Sequence, residues 1–172
     1  MVLLAAYQAL LHRYSGQSAI NVGVPSAGRS HLETEGLIGF FINTHVLRAE
    51  IDGQQTFASL LQQVKNTALW AQAHQELPFE QLVDALQPER SLSHAPLFQV
   101  MYNHQRDDHR GSRFASLGEL EVEDLAWDVQ TAQFDLTLDT YESSNGLLAE
   151  LTYATDLFDA SSAERIAGHW LN

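Results

Sequence analysis

Cysteine is missing from all 172 residues, so neither a disulfide framework nor a thiolate-ligated metal is available to this chain. Basic residues are scarce: nine Lys plus Arg stand against 22 Asp plus Glu, a formal charge of −13. That is the wrong sign for a nucleic-acid footprint, and its even spread along the chain serves solubility. No apolar run approaches the ~18 residues of a membrane span. No basic-then-apolar leader opens the chain, and neither nucleic acid nor a membrane is expected as a partner. HExxH and comparable ligand spacings are also lacking, and His104 and His109 find no third ligand, so no metal is expected. These absences are compatible with a reducing, cytoplasmic setting. What is present is 45% apolar content, enough to build one domain with a sizeable core.

Helix and strand periods alternate along the chain. Leu3, Tyr7, Leu10, Leu11 and Tyr14 fall at helical spacing, with Gly16 placed as terminator. Ile20, Val22 and Val24 alternate with polar neighbours in a strand that stops at Pro25, and Thr44 to Ile51 predicts a second. Thr56 opens a long helix on Phe57, Leu60, Leu61, Val64, Ala68 and Ala71. Pro78 suits the first residue of a shorter helix carrying Phe79, Leu82, Val83 and Leu86. Alternation over residues 98–105 predicts a strand. Two further strands, 134–141 and 147–154, are joined through Asn145-Gly146, the strongest hairpin signal in the chain. Residues 105–118 read as a polar loop. Ser161 and Glu164 form a capping box for a last helix bearing Ile166, Ala167, Trp170 and Leu171. The first helix lacks an N-cap and the last lacks a C-cap, so the chain reads as a piece of a longer polypeptide. The fold class expected is mixed α/β, a sheet with helices packed on it.

Two blocks carry more than structure. One is Gly36-Leu37-Ile38-Gly39-Phe40-Phe41-Ile42-Asn43-Thr44-His45-Val46-Leu47-Arg48; the other is His74-Gln75-Glu76-Leu77-Pro78-Phe79-Glu80. They resemble the "IGxFVNT…LR" and "HQxxPFE" blocks of condensation domains in nonribosomal peptide synthetases. Residues 89–100 and the run Pro25-Ser26-Ala27-Gly28-Arg29 resemble further blocks of that family, in family order. The family's active-site block, HHxxxDG, does not occur in these residues. His104 and Asp108 have an HxxxD spacing, but no second His precedes and no Gly follows.

The resemblance implies one of two chloramphenicol acetyltransferase-like halves that form a V around the active site, here the C-terminal half (residues 1–172). It implies peptide-bond formation between carrier-bound aminoacyl or peptidyl thioesters, delivered on phosphopantetheine arms. The catalytic histidine would belong to the N-terminal half, leaving this fragment alone inactive. Its partners would be that half, upstream and downstream peptidyl carrier domains, and an adenylation domain in the same chain, with no cofactor bound directly. The tunnel wall and floor would draw on Arg29, Gly36, Gly39, Asn43, Thr44, Asn103 and Gln105. Arg106, Arg110 and Arg113 form a basic cluster suited to docking an acidic carrier.

Each residue also has a purely structural reading. The two glycines permit a bend, and Asn43-Thr44 cap backbone at a strand start. Arg29 either pairs with an acidic residue across the cleft or lies solvated on a loop, His74 satisfies backbone between helices, and the arginine loop is neutralised by Asp107 and Asp108. A stand-alone trimeric acyltransferase, a non-catalytic carrier-docking module, and half of an epimerisation or heterocyclisation domain are the alternatives.

Overall fold

The computed structural model describes residues 1–29, 31–88, 95–106, 131–143 and 146–172. In chain order the elements are α1 (Val2–Ser15), β1 (Ala19–Ser26), α2 (Leu32–Glu35), β2 (Asn43–Glu50), α3 (Phe57–Ala73) and α4 (Phe79–Leu86). β3 (Val100–Arg106), β4 (Leu136–Ser143), β5 (Gly146–Tyr153) and α5 (Ala160–Leu171) follow. The mixed α/β class expected from periodicity is the one observed.

The five strands form one sheet in the order β2-β1-β3-β4-β5. β1 runs antiparallel to β2 from Ala19↔Glu50 to Ser26↔Asn43, and β4 antiparallel to β5 from Leu136↔Tyr153 to Ser143↔Gly146. The central pairings, β1 with β3 and β3 with β4, are parallel. Alternation sends Ile20 and Val22, Leu47 and Ala49, Tyr102, and Leu138 to one face. There they join Leu4, Ala5 and Tyr7 of α1 and Leu60 and Val64 of α3 in the buried core. Gln8 sits inside this layer because its amide donates to the Leu47 carbonyl at 3.0 Å.

The helix signals hold with small shifts. Gly16 adopts φ 69° and closes α1, as a left-handed terminator should. Thr56 caps α3 by accepting the Ser59 N–H at 3.2 Å. Pro78 is the N-cap of α4 rather than its first residue. The cap of α5 differs from the capping box expected at Ser161. Asp159, two residues earlier, accepts the Ser162 N–H at 2.7 Å and the Ser161 hydroxyl at 2.9 Å. A carboxylate is the stronger acceptor at a helix start, so the helix begins there. That backbone hydrogen bond also holds the Asp159 carboxyl below its ordinary range.

Strand boundaries also move, by one or two residues: β2, expected over 44–51, covers 43–50, and the pair expected over 134–141 and 147–154 covers 136–143 and 146–153. Phe98 does not pair; it lies over Gly23, where an added Cβ would come within 2.3 Å of its ring. β3 therefore begins at Val100 and runs to Arg106, taking Gln105 and Arg106 out of the expected loop. Pro25 falls inside β1, opposite Thr44. Asn145 of the expected turn, and residues 89–94 of the third sequence block, lie outside the described residues.

Candidate functional site

The parallel core brings the C-terminal ends of β1, β3 and β4 to one edge of the sheet, beside the start of β2. β1 and β3 are bridged at Gly23↔Met101, whereas β3 and β4 pair from Val100↔Leu136 through Arg106↔Glu142. Pro25 has no N–H to extend a ladder, so β1 stops pairing with β3 short of its end. Crevices at the carboxyl ends of parallel strands are where open α/β sheets usually bind ligands. Every described site residue named from sequence lies in or beside this end.

From the end of β1 the chain turns through Gly28, which adopts φ 62°. A Cβ at Gly28 would sit 1.9 Å from the Phe41 carbonyl oxygen, so this position accepts only glycine. Arg29 follows. Its guanidinium lies 4.4 Å from the centroid of the Phe41 ring and donates to the carbonyls of Thr34 and Glu35. The acidic partner expected for Arg29 is not the one it takes: among the described residues it holds α2's last carbonyls and an aromatic face. Guanidinium suits both, being planar, weakly hydrated and rich in donors.

The other end of this excursion is fixed by Asn43. Its side-chain NH2 donates to the carbonyls of Gln75 at 3.1 Å and Leu77 at 2.8 Å. Its Oδ1 accepts the N–H of Thr44 at 2.9 Å and of Phe79 at 3.1 Å. One half-buried amide thus knots the first sequence block to the second, and the backbone-capping reading of Asn43 agrees with this geometry. Thr44 contributes its N–H to the knot. His74 also satisfies backbone, with Nδ1 2.8 Å from the Trp70 carbonyl and its ring stacked on Trp70.

Between these anchors runs an arm from Gly36 to Ile42. Leu37, Ile38, Phe40 and Ile42 are exposed, Ile38 fully and Phe40 at 87%. Phe41 alone turns inward, under Arg29. Of the arm's glycines, Gly36 has open space where a Cβ would be, and at Gly39 a Cβ would press the Phe41 ring at 3.0 Å.

On β3, Asn103 and Gln105 alternate with the buried Tyr102 and so point away from the core layer built with α1 and α3. Asn103 donates to Asp139 Oδ1 at 3.0 Å, and Gln105 is exposed. On the helix side, His104 meets the Thr140 hydroxyl at 2.9 Å. Thr140 in turn contacts the Tyr102 hydroxyl at 3.2 Å, and burial raises the Tyr102 pKa. Arg106 pairs with Glu142 at 3.4 Å; Arg110 and Arg113 lie outside the described residues. Burial lowers the pKa of His45, whose Nε2 is 2.8 Å from the Ser26 hydroxyl. The described residues hold no cluster of three or more His, Asp or Glu able to take a metal. None of their helices is long and apolar enough to cross a membrane.

Two features escaped the sequence reading, the Gly28–Phe41 contact and the Ser26–His45 pair. A glycine just before a basic residue was the only hint of the first.

Comparison with known proteins gives these blocks their class. The family described as "Condensation domain" matches residues 1–172, and the chain belongs to that family. It is 52% identical over 172 residues to a component of the linear gramicidin synthase of Brevibacillus parabrevis, covering all of this chain and 2% of that protein. Tyrocidine synthase 3 of the same organism is 44% identical over 171 residues, with 99% of this chain and 3% of that protein covered. The chain thus spans only a small part of the length of these relatives. Among solved structures, a four-domain nonribosomal peptide synthetase bound to AMP and glycine superposes with a TM-score of 0.86. It shares 29% identity, with 96% of this chain and 14% of that one covered. The condensation domain of the monacolin K polyketide synthase shares the fold, with a TM-score of 0.84 at 21% identity over 99% of this chain and 39% of that one.

Proposed function

We propose that the chain is the C-terminal half of a peptide-bond-forming condensation domain, working in the cytoplasm as part of a synthetase. In that reaction the amine of a carrier-bound aminoacyl thioester attacks the carbonyl of a second carrier-bound thioester. A C–N bond forms, the C–S bond breaks, and the phosphopantetheine thiol leaves with the proton the amine gives up. The thioester is already activated, so alignment of the two arms in a shielded tunnel can carry much of the acceleration. The histidine that handles the proton or the oxyanion belongs to the N-terminal half.

In this reading the described half supplies wall and floor. Arg29 and Asn43 set the path of the arm, with Gly36, Gly39 and Thr44 on it. Asn103 and Gln105 offer amides on the open sheet face. Arg106, Arg110 and Arg113 belong to the carrier-docking surface. The partners are the N-terminal half, the two carriers and an adenylation domain. No cofactor is held directly, since the substrates arrive on pantetheine.

The observation that carries this reading is the arm. It is anchored at both ends, yet Leu37, Ile38, Phe40 and Ile42 face solvent. Soluble monomers rarely leave contiguous apolar patches larger than a few hundred Å² uncovered. A missing half-domain is the cover the family provides, and the 39% share of a condensation-domain structure agrees with that size. The test is binding between this chain and a separately produced N-terminal half. Phe40→Ser and Ile38→Ser should weaken the complex while leaving the circular dichroism melt unchanged. No complex, or one indifferent to both changes, removes the reading.

A further inference from the structure

The sheet ends in two edge strands, β2 and β5, and the two edges differ. An edge strand presents a row of unpaired N–H and C=O groups, which proteins usually guard with side chains, Lys, Pro or a bulge. On β2, Asn43 Oδ1 accepts the Thr44 N–H at 2.9 Å and Gln63 Oε1 accepts the Glu50 N–H at 3.1 Å. Arg48 and Glu50 add an ion pair there.

β5 has no such guard. It pairs with β4 residue for residue from Leu136↔Tyr153 to Ser143↔Gly146, without a bulge, and holds no Lys, Arg or Pro. The Ala154 N–H donates to the Asp135 carbonyl at 3.0 Å, which fixes the phase of this ladder. Bonded and non-bonded pairs alternate between antiparallel strands, so Leu147, Ala149 and Leu151 turn their N–H and C=O groups away from β4. Among the described residues these groups have no hydrogen-bond partner, and residues 146–150 are all exposed. The side chains of Leu147, Ala149 and Leu151 join Ile166, Trp170 and Leu171 of α5 around an open cleft of about 280 Å³ with no charged lining residue. Leu148 and Glu150 lie on the opposite face.

We infer that the free edge of β5 is an interface for a second copy of this chain, joined by antiparallel pairing of β5 with β5. The strand is complementary to itself about Ala149. A two-fold axis there sets Ala149 against Ala149 and Leu147 against Leu151 of the second copy, outward pairs that can each exchange two N–H···O bonds. The leucines then meet on the cleft face, and Glu150 falls opposite Leu148 rather than opposite its own copy. Moving the axis to Glu150 would set two carboxylates directly against each other. Moving it to Leu148 would carry Leu151 past the end of the facing strand. Pairing about Ala149 joins two five-stranded sheets into one and brings the two apolar clefts together. β5 stands at the far edge of the sheet from β2 and the arm, so the inference does not depend on the half-domain reading.

The test is sedimentation equilibrium of the chain, paired with amide hydrogen exchange followed residue by residue. Each copy carries −13, so the salt should be enough to screen charges beyond about 8 Å. A concentration-dependent dimer is expected, in which the amides of Leu147, Ala149 and Leu151 exchange about tenfold more slowly than in the monomer. The amides of Leu148 and Glu150, already bonded to β4, should not change. Ala149→Pro removes one outward donor and leaves the β4 ladder whole, so it should give a folded monomer. Leu147→Lys, which adds the guard that edge strands ordinarily carry, should do the same without touching the backbone. Phe40→Ser, on the arm, should leave the dimer intact. A monomer at every concentration up to about 1 mM, where even weak pairing registers, overturns the inference. So does a dimer that survives both β5 variants, a dimer lost in Phe40→Ser, or protection confined to other amides.

Discussion

The Asn43 side chain accepts the backbone N–H of Phe79 at 3.1 Å, across 36 residues of chain. The same amide holds the carbonyls of Gln75 and Leu77, so it is one fastener between two sequence blocks. Asn43→Asp keeps the acceptor and loses both donors, turning the donated contacts into repulsions between oxygens. A loss of roughly 1–3 kcal/mol is expected from urea melts. A loss under about 0.5 kcal/mol would mean that the blocks hold together without it.

Phe79 and Phe98 meet edge to face at 5.6 Å, but their burial differs. Phe98 is 3% exposed over Gly23, whereas Phe79 is half-buried. Phe98→Ala should therefore cost about 3–5 kcal/mol, the range for a fully buried ring. Phe79→Ala should cost nearer 2 kcal/mol, roughly in proportion to the area it removes from water. Chemical denaturation of both variants decides, and the reverse order would contradict the packing.

Arg29 should govern the arm's order more than global stability. Arg29→Gln removes the cation over Phe41 while keeping a short donor toward α2. Limited proteolysis between Gly36 and Ile42 should speed up severalfold with little change in melting temperature. An unchanged cleavage pattern would show that the arm is held by Asn43 alone.

Acid sensitivity should carry the signature of His45. Burial lowers its pKa below the ordinary 6.5, so the folded state takes up the proton less readily than the unfolded chain. Its contribution is then present above pH 6.5 and is lost as the pH falls from there toward the folded value. His45→Gln should flatten the fall in stability below pH 6.5, the ordinary value that bounds this window above. A slope that persists in the variant places the effect on other groups. Below that window Asp159 adds a second loss with the same sign, as its lowered carboxyl takes up a proton and releases Ser162.

Periodicity made most elements legible. α1 with its Gly16 stop, α3 with its Thr56 cap, and β1 and β2 follow from local spacing and capping, which a sequence displays directly. Strand order, the approach of Gly28 to Phe41, and the partner of Arg29 depend on residues brought together only by the fold. An acidic partner is the first expectation for Arg29, because carboxylates are the commonest mates of a guanidinium. Helix-end carbonyls and an aromatic face, which leave no mark in composition, took that place. Asp159 displaced Ser161 as cap for a similar reason: two valid cap residues lay two positions apart, and the stronger acceptor set the start. At the candidate site the family blocks singled out the stretch from Gly36 to Thr44, and the geometry separates its inward residue, Phe41, from its bare ones.

The most direct test of the central claim is product formation by this chain alone, supplied with donor and acceptor aminoacyl thioesters on their carrier proteins. With the histidine block assigned to another half, dipeptide should appear no faster than in the enzyme-free control. Addition of the N-terminal half should restore turnover. Turnover by the isolated chain well above that control, abolished by His104→Ala, would contradict the assignment and make this chain a complete acyltransferase.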